Sequence, residues 1–386
     1  MKRAVIVDCV RTPIGRANKD KGVFREVRSD DLAVQVVQAL LERTGIDRDE
    51  IEDVVLGNTQ QQGEQGLNAA RVVGIMAGLA THTGGTTVNR LCGSSLQAIN
   101  QASHAIMAGF EDVQIVGGLE HMQHIPMDAG IDLNPKLFHR TSKGALSMGV
   151  TAEFLAQTQG ISREEQDRFA LRSHQLAAAA QAQGEFKREM LPVWGRDEAG
   201  NRMLVDRDQC VRPDATMESL AALKPAFMPG LGTVTAGNSS PLNDGAAALL
   251  VMSEEKAKAL GLKPLVRVVA TAVVGVDPAV MGTGPVPATK KALQRAGLKL
   301  GDLDLIELNE AFASQAIACM RMLSLDEEKV NVRGGSIAIG HPLGASGARI
   351  TTTLINAMVD RGAKFGLATM CIGVGQGIAT IFERIN

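Results

Sequence analysis

The sequence predicts an α/β protein built from two similar halves with a long insertion between them. Its 386 residues are more than one hydrophobic core of ordinary size accommodates, which favours two or three domains. A helix–glycine–strand pattern near the start of the chain returns near its end. Helices that alternate with strands in this way favour a mostly parallel sheet covered by helices.

The first part of the repeat is a helix that ends on glycine, at Gly45 in one half and at Gly297 in the other. Glycine at this position suits the left-handed cap of a helix. An acidic linker leads from each helix into an apolar strand, at 53–58 and at 304–309. Both strands end on asparagine. The agreement in order, spacing and end residues indicates duplication, with the two halves related by a pseudo-twofold axis.

The second part of the repeat is a helix followed by another strand. In the first half the helix opens at 92–95 and is followed by a strand at 113–118. In the second half it opens at 344–347 and is followed by a strand at 365–371. Residues 120–250 have no counterpart, because they combine polar loops, an alanine-rich helix and a Pro/Gly-rich region. Functional loops of that size commonly shape a binding site.

Composition excludes several classes of protein. Aromatic residues make up 3% of the chain and tyrosine is absent, which disfavours a protein that stacks nucleic-acid bases. A net charge of −2 gives no field that steers the whole chain onto DNA or an anionic membrane. No apolar run is long enough to predict a transmembrane segment. The start of the chain predicts a strand and is too short and interrupted for a signal peptide.

The five cysteines stand far apart in the sequence and form no CxxC pair. This argues against a disulfide framework and a structural metal site, and it favours a reducing cytoplasm. Cys92 is the first candidate for chemistry, since it precedes a predicted helix whose N-terminus would lower the pKa of the thiol. A buried structural cysteine is the alternative.

The second candidate is His341, which lies between Gly340 and Pro342 in a glycine-rich segment before a predicted helix. A loop histidine fixed in this way can act as the base that activates a thiol. The segment is not a phosphate-binding P-loop, because no Gly-Lys-Ser/Thr follows. Without further context, an ordinary loop histidine is the favoured explanation of the pattern.

Two further segments carry candidates at strand ends. Cys371 and Gly373 lie where a strand runs into glycines, and backbone N–H groups there can form an oxyanion hole. The glycine spacing does not match a dinucleotide fingerprint, and a strand follows in place of a helix. Asn309 and Glu310 end another strand, where parallel-sheet proteins place their sites. A helix cap at Asn309 is the alternative, as is a buried structural role for Cys371.

Two other features have simpler explanations. His121 and His124 are three residues apart, but no third ligand has suitable spacing, so a polar loop explains them better than a metal site. The helix predicted at 162–184 carries a set of acidic and basic residues that is typical of a solvated face.

Taken together, these segments resemble the thiolase family. The matching motifs are NRLCGSS around Cys92, NEAFA at 309–313, GHPLGASGAR at 340–349 and CIGVGQG at 371–377. The resemblance covers essentially the whole chain and is greatest to bacterial 3-ketoacyl-CoA thiolases of the fatty-acid oxidation complex. It implies duplicated α/β/α/β/α domains with a central loop domain. We therefore predict an N-terminal half at 1–119, completed by about 250–268, a CoA-binding loop domain at 120–249, and a C-terminal half at 269–386.

The resemblance also implies a role for each candidate. Cys92 would be the nucleophile that carries the acyl group, His341 its base, and Cys371 the group that gives and takes the second proton. Asn309, through a bound water, and His341 would form one oxyanion hole. The backbone N–H groups of Cys92 and Gly373 would form the other. Arg212, Ser219 and Ser240 fall on positions that line the coenzyme A site, with coenzyme A as a substrate and no tightly bound cofactor or metal.

The implied partners are 3-ketoacyl-CoA, coenzyme A, a second copy of the chain, and a multifunctional hydratase/3-hydroxyacyl-CoA dehydrogenase α subunit. Biosynthetic acetoacetyl-CoA thiolases usually carry His-Met-Gly where this chain has Ser147-Met148-Gly149. That departure favours degradative cleavage over condensation, although the chemistry is reversible and the motifs separate the two directions poorly. A ketoacyl synthase is disfavoured by the second cysteine. A non-catalytic scaffold is disfavoured because nucleophile and base are both present.

Overall fold

A computed structural model of the chain describes residues 2–385. The described residues form one large mixed sheet in which the strand order is β10-β11-β12-β9-β1-β8-β5-β3-β4, with β2 paired to β8, and a separate hairpin of β6 and β7. The strands are β1 (Ala4–Arg11), β2 (Gly15–Arg16), β3 (Asp53–Gly57), β4 (Thr86–Val88), β5 (Val113–His121), β6 (Val193–Arg196), β7 (Arg202–Val205), β8 (Asn243–Ser253), β9 (Val266–Gly275), β10 (Leu305–Leu308), β11 (Phe365–Ile372) and β12 (Gln376–Arg384).

The helices cover both faces of this sheet. They are α1 (Ser29–Thr44), α2 (Ala69–Met76), α3 (Ser94–Ala108), α4 (Lys143–Leu146), α5 (Met148–Thr158), α6 (Arg163–Gln183), α7 (Met217–Ala221), α8 (Glu254–Ala259), α9 (Pro285–Ala296), α10 (Ala313–Leu323) and α11 (Leu343–Arg361). Short 3₁₀ helices lie at Arg48–Glu50, Gly63–Gln65, Pro135–His139, Pro278–Thr283, Leu300–Asp302 and Glu327–Lys329. None of the helices in residues 2–385 has both the length and the apolar character needed to cross a bilayer.

The predicted duplication is confirmed by the strand pairing. In the first half β3 and β5 are parallel, β5 and β8 antiparallel, and β8 and β1 antiparallel. The second half repeats this with β10 and β11 parallel, β11 and β12 antiparallel, and β12 and β9 antiparallel. The halves join where β1 pairs with β9 at two positions. The prediction of a mostly parallel sheet is wrong, because in each half one strand, β8 or β12, runs opposite to the others and pairs antiparallel with both of its neighbours, and β1 and β9 also pair antiparallel.

The two halves meet at α3 and α11, which pack against each other in an inner layer. Nearly all of α11 is buried. Gly347 permits this contact, since a Cβ atom there would lie 2.3 Å from the backbone nitrogen of Leu96. On the outer faces, α1 covers the first half and α9 the second. This gives the α/β/α/β/α layering that the resemblance implied.

Two of the predicted limits of the insertion fall inside strands. The limit at 119/120 cuts β5, which continues to His121, and the limit at 249/250 cuts β8, which begins at Asn243. Residues 266–268 were assigned to the first half, yet they open β9, which pairs with β12 along most of its length. Both strands extend past their apolar stretches because buried polar residues continue them. The segment that connects β5 to β8 is therefore 122–242.

Candidate active site

A cavity of about 290 Å³ lies where the two halves and the segment 122–242 meet. Three predicted chemical groups line it together, namely the side chains of Cys92, His341 and Cys371, and Gly373 lies beside them. The remaining wall is mainly apolar and includes Met122, Met127, Leu146, Met148, Phe227, Met281, Phe312 and Leu343. Residues that lie far apart in the sequence thus line one cavity.

Cys92 lies in a tight turn between β4 and α3. The residue before it, Leu91, has φ of 45°, a left-handed conformation that is strained for a leucine. Hydrogen bonds keep the turn in place, because Ser94 Oγ donates to Leu91 O at 2.6 Å and the Leu91 N–H donates to Asn89 Oδ1 at 2.8 Å. The turn presents the Cys92 side chain to the cavity just ahead of the first residue of α3.

The electrostatics of Cys92 differ from the prediction. Burial raises the pKa of the thiol to about 11, although the backbone N–H groups of Gly373 and of Cys92 itself act to lower it. The helix N-terminus was expected to favour a thiolate, but the loss of water around a nearly fully buried sulfur outweighs it. The resting Cys92 side chain is therefore a neutral thiol, which would need a base in order to react as a nucleophile.

His341 is held so that one ring nitrogen is free to act as that base. Ser346 Oγ donates its hydrogen to Pro342 O at 3.0 Å and therefore accepts from the His341 Nδ1–H at 2.5 Å. The lone pair of the neutral ring is then on Nε2. Burial, with a smaller effect of Arg349, lowers the pKa of His341 to about 3, so the ring is neutral at physiological pH.

Asn309 faces that free nitrogen from the end of β10. Its Nδ2 lies 3.4 Å from His341 Nε2, and its Oδ1 accepts from Ser336 Oγ at 2.6 Å. Ser336 Oγ in turn accepts from Arg349 Nη2 at 2.5 Å. This chain of hydrogen bonds orients the amide with its N–H groups toward His341. Helix α10 begins only at Ala313, so Asn309 is not its cap.

Cys371 and Gly373 approach from the second half. Cys371 is the penultimate residue of β11, fully buried, and its thiol pKa is raised well above the usual value, first by burial and then by the proximity of Cys92. A tight turn follows, in which Val374 and Gly375 both have positive φ. The turn directs the N–H of Gly373 at the Cys92 sulfur. Two thiols and an N–H donor therefore lie around one reacting position.

Only one of the three predicted coenzyme A contacts lies at this cavity. Ser240 lines it, and its N–H donates to Ala311 O at 3.0 Å. Arg212 and Ser219 are exposed on the segment 122–242. Ser219 is engaged in the capping box that opens α7, while the N–H of Arg212 donates to His174 Nδ1. Neither residue is among the described residues that line the cavity.

The pair His121 and His124 is a packing feature and not the polar loop that was predicted. His121 is the last residue of β5 and fully buried, and the two rings stack with centroids 3.7 Å apart. Their ring nitrogens bond to Phe24 O, Arg25 O and Glu64. Within residues 2–385 no group of three or more metal-ligating side chains is brought together. On α6, the exposed pair Glu164 and Arg168 fits the solvated face, whereas Asp167 is buried.

Several residues that shape the site were missed from the sequence. Ser346 and Ser336 set the orientation of His341 and Asn309, and Asn243 and Glu120 hold the backbone near His341. The sequence does carry a signal for Glu120, because a polar residue directly follows the mainly apolar stretch 113–119, as Asn309 directly follows a strand in the second half. The serines carry no such signal, since hydroxyls are common in helices and loops.

Comparison with known proteins gives matches along the whole chain. A family model described as "Thiolase, N-terminal domain" matches residues 4–255, and "Thiolase, C-terminal domain" matches 262–384. Curated relatives named 3-ketoacyl-CoA thiolase include those of Shewanella denitrificans, 56% identical, and Aeromonas salmonicida, 54% identical, each covering 100% of both chains. The crystal structure of the Bacillus anthracis acetyl-CoA acetyltransferase is 40% identical and superposes with a TM-score of 0.91, covering 100% of this chain and 99% of that one.

Proposed function

Because this chain belongs to the thiolase family, we propose that it cleaves 3-ketoacyl-CoA with the thiol of coenzyme A by way of an acyl-thioester on Cys92. The chain is an acyltransferase, and the products of this reaction are acetyl-CoA and an acyl-CoA shortened by two carbons, as in fatty-acid β-oxidation. The observation that carries the proposal is the convergence of Cys92, His341 and Cys371 on one cavity.

The first half-reaction forms the acyl-enzyme. His341 accepts the Cys92 proton on Nε2, and the sulfur attacks the 3-keto carbon. The backbone N–H groups of Cys92 and Gly373 stabilise the oxyanion at C3, and the protonated Nε2, with a water held by Asn309, stabilises the enolate oxygen that forms next. The bond between C2 and C3 then breaks, and its electron pair forms the enolate of acetyl-CoA. Cys371 protonates this enolate at C2, which requires a thiol in the resting state, and the raised pKa of Cys371 supplies one.

The second half-reaction transfers the acyl group to coenzyme A. The Cys371 thiolate removes the proton from the incoming thiol, whose sulfur attacks the acyl carbonyl carbon on Cys92. The backbone N–H groups of Cys92 and Gly373 stabilise the second oxyanion, in keeping with their direction toward this sulfur. Collapse of the tetrahedral intermediate expels the Cys92 thiolate, which recovers its proton from His341. Both cysteines and the histidine then return to their starting states.

Coenzyme A would enter along the segment 122–242. Ser240 supports this route because it lies at the cavity wall. Arg212 and Ser219 are exposed on the same segment, where a long nucleotide could reach them from the cavity, and a guanidinium suits the phosphates of such a ligand. The proposed chemistry needs no tightly bound cofactor and no metal, because thiols and one imidazole move every proton.

Cleavage of chains longer than four carbons fits the cavity better than condensation of two acetyl groups. Met122, Met127, Met148 and Met281 line the wall, and methionine adapts to apolar ligands of different shape. Ser147 lies at this wall, where it leaves more room than histidine would. Condensation is the second candidate, because the structurally similar Bacillus anthracis protein is titled acetyl-CoA acetyltransferase. The ratio of kcat/KM for 3-ketooctanoyl-CoA to that for acetoacetyl-CoA separates the two.

The chain is also proposed to form a homodimer and to work in the cytoplasm. The outer edge of β4 has no strand partner within residues 2–385, and Leu67, Ile75 and Met76 near it are exposed. A second copy that paired with this edge would cover them. The five cysteines are free thiols, which suits a reducing compartment. Light scattering on the purified protein tests the dimer.

A larger assembly with a hydratase/3-hydroxyacyl-CoA dehydrogenase α subunit is proposed on the resemblance of segments 117–122 and 365–371. Such a partner produces the 3-ketoacyl-CoA that this chain consumes. Gentle purification from the native source should recover the two proteins together. Consistent recovery of the free thiolase alone would count against the complex.

The thiolysis assay tests the activity itself. Purified protein, 3-ketooctanoyl-CoA and coenzyme A should give acetyl-CoA and hexanoyl-CoA in equal amounts, and Cys92→Ala should abolish the reaction. The control Cys9→Ala removes a buried thiol that does not line the cavity and should retain activity. Formation of neither product by the wild-type protein would refute the proposal.

A further inference from the structure

The backbone around His341 is held by two side chains that belong to the other half of the molecule. The His341 N–H donates to Asn243 Oδ1 at 2.8 Å, and the Gly344 N–H donates to Glu120 Oε2 at 2.8 Å. Asn243 opens β8 and Glu120 lies near the end of β5, and both are fully buried. Neither is among the described residues that line the active-site cavity. Two hydrogen bonds thus connect the His341 loop of the second half to strands of the first half.

The pairing register shows that Glu120 is the duplicated counterpart of Cys371. Gly57 pairs with Gly118 in the first half as Leu308 pairs with Thr369 in the second, and the next residue in each case is an asparagine, Asn58 or Asn309. Two residues further along the neighbouring strand stand Glu120 and Cys371. The register of the next strand agrees, because Glu120 pairs with Gly245 as Cys371 pairs with Gly377.

We propose that Glu120 and Asn243 are positioning residues that clamp the His341 loop. The pair Asn58 and Glu120 in the first half corresponds to Asn309 and Cys371 in the second, but it supports the loop and does not take part in the reaction. The inference rests on the proposed function, since it takes His341 as the base. In the second half the asparagine bonds to His341. In the first half Asn58 Nδ2 bonds to Glu120 Oε1 at 3.1 Å.

The surroundings of Glu120 explain why a carboxylate stands there. Its oxygens accept from Thr59 Oγ1 at 2.6 Å, Thr59 N at 3.0 Å and Gln65 Nε2 at 2.9 Å, besides Asn58 and Gly344. All these groups donate to the carboxylate, and among them only the Thr59 hydroxyl can also accept, so a side chain that brings its own N–H is poorly matched to this site. Gly344 lies in the first turn of α11, whose cap residue Pro342 offers no side-chain hydrogen bond. A negative charge there stabilises the helix N-terminus.

Asn243 is oriented just as firmly. Its Nδ2 donates to Gly15 O at 2.8 Å, which leaves Oδ1 to face the His341 N–H. Gly340 has φ of 124°, and a Cβ atom there would lie 2.7 Å from Asn243 Cγ, so the loop fits directly against this amide. With the ring held by Ser346 and the backbone held by Asn243 and Glu120, little freedom remains for His341.

Loss of the Glu120 charge and loss of the clamp would change the acylation rate of Cys92 in opposite directions. The proximity of Glu120 raises the pKa of the Cys92 thiol, so loss of the charge alone would make the nucleophile easier to ionise. Loss of the clamp would instead move the base away from the sulfur, and misplacement by about 1 Å can reduce a rate by about 10²-fold. The sign of the change in acylation rate therefore separates the two effects.

The kinetic test compares three variants of the full chain. Glu120→Gln and Asn243→Ala should each slow acylation of Cys92 by 3-ketooctanoyl-CoA about 10²-fold, with KM within about threefold of wild type, because neither residue touches the cavity. Gln65→Met removes another donor to Glu120 but leaves the Gly344 contact, so it should acylate within about threefold of wild type. Rates are read by rapid quench and mass spectrometry. Folded Glu120→Gln or Asn243→Ala proteins that acylate as fast as Gln65→Met would overturn the clamp.

A second measurement needs no variant and guards against misfolding. In the wild-type protein, hydrogen–deuterium exchange of the His341 and Gly344 amides should be slow, because Asn243 and Glu120 accept from them. Exchange as fast as that of an exposed loop amide would overturn the clamp even if the enzyme is active. A wild-type protein with slow exchange but no thiolysis would instead refute the proposed function and leave these contacts in place.

Discussion

Removing the hydroxyl of Ser346 should slow acylation of Cys92, because the neutral His341 ring can then adopt the tautomer that carries its hydrogen on Nε2. In the wild-type protein His341 Nδ1 lies 2.5 Å from Ser346 Oγ. Ser346→Ala leaves the Nδ1–H without an acceptor in a residue that is only 4% exposed. An unsatisfied buried donor costs about 1–3 kcal/mol. The ring can avoid this by moving its hydrogen to Nε2, where the Cys92 proton must go.

That free energy sets the size of the effect. At about 1.4 kcal/mol for each factor of ten, a loss of 1–3 kcal/mol corresponds to a decrease of roughly 5- to 150-fold in the acylation rate. The expected decrease lies in kcat, with KM little changed, because Ser346 does not line the cavity. Quenched-flow mass spectrometry of the Cys92 adduct measures the rate, and ¹⁵N NMR of the His341 ring reports the tautomer directly.

A matched control lies one turn further along α11. Thr351 is also fully buried, and its Oγ1 donates to the Gly347 carbonyl at 2.7 Å, as Ser346 does to Pro342, but it contacts no catalytic group. Thr351→Val should therefore lose stability of the same order without a change in acylation rate. If Ser346→Ala acylates as fast as Thr351→Val, the proposed role of the Nδ1 contact is wrong.

Three further expectations concern catalysis, packing and pH. Asn309→Ala should lower the acylation rate about 10²–10³-fold, because it removes the side chain that, with His341, forms one oxyanion hole, and rapid quench should show this with substrate binding retained; an unchanged rate would exclude that role. Gly347→Ala should destabilise the protein by about 1–3 kcal/mol in urea unfolding, because its Cβ would lie 2.3 Å from Leu96 N. The control Gly301→Ala has open space around its Cβ and should change stability by less than about 0.5 kcal/mol. Equal effects of the two substitutions would contradict the packing argument. Stability should peak near pH 6–7. Three buried histidines have pKa values lowered to about 3 or 4, so at acidic pH the unfolded chain binds protons that the folded chain does not, and stability falls as the pH falls. Two buried carboxyls, Asp244 among them, have pKa values raised to about 7 and 8, so the folded chain keeps protons that the unfolded chain has lost, and stability falls as the pH rises. Thermal melts across pH check this, and Asp244→Asn should reduce the alkaline decline; a melting temperature that rises steadily to pH 9 would contradict it.

The duplication could be read from the sequence because it depends on local patterns. Helices capped by Gly45 and Gly297, and strands followed directly by Asn58 and Asn309, can be predicted from cap chemistry and apolar periodicity, which a sequence displays directly. Strand direction could not be read in this way. An antiparallel neighbour such as β8 is buried on both faces and has the same apolar run as a parallel strand.

The sequence predicts three of the chemical groups that line the cavity, but it does not predict their electrostatics. Cys92, His341 and Cys371 stood out through motifs, yet the expected low pKa of Cys92 was wrong, because the effect of a helix end is local while burial depends on the whole fold. The supporting residues Glu120 and Asn243 were missed for the same reason. Their importance comes from contacts with Gly344 and His341, more than 90 residues away in the chain.

Peptide mass mapping detects the proposed acyl-enzyme on Cys92 when the protein is mixed with 3-ketooctanoyl-CoA in the absence of coenzyme A. We expect one hexanoyl group per chain, on the peptide that contains Cys92. Addition of coenzyme A should release it as hexanoyl-CoA at a rate at least equal to kcat. No adduct, an adduct on Cys371 in place of Cys92, or release slower than turnover would contradict the proposed mechanism.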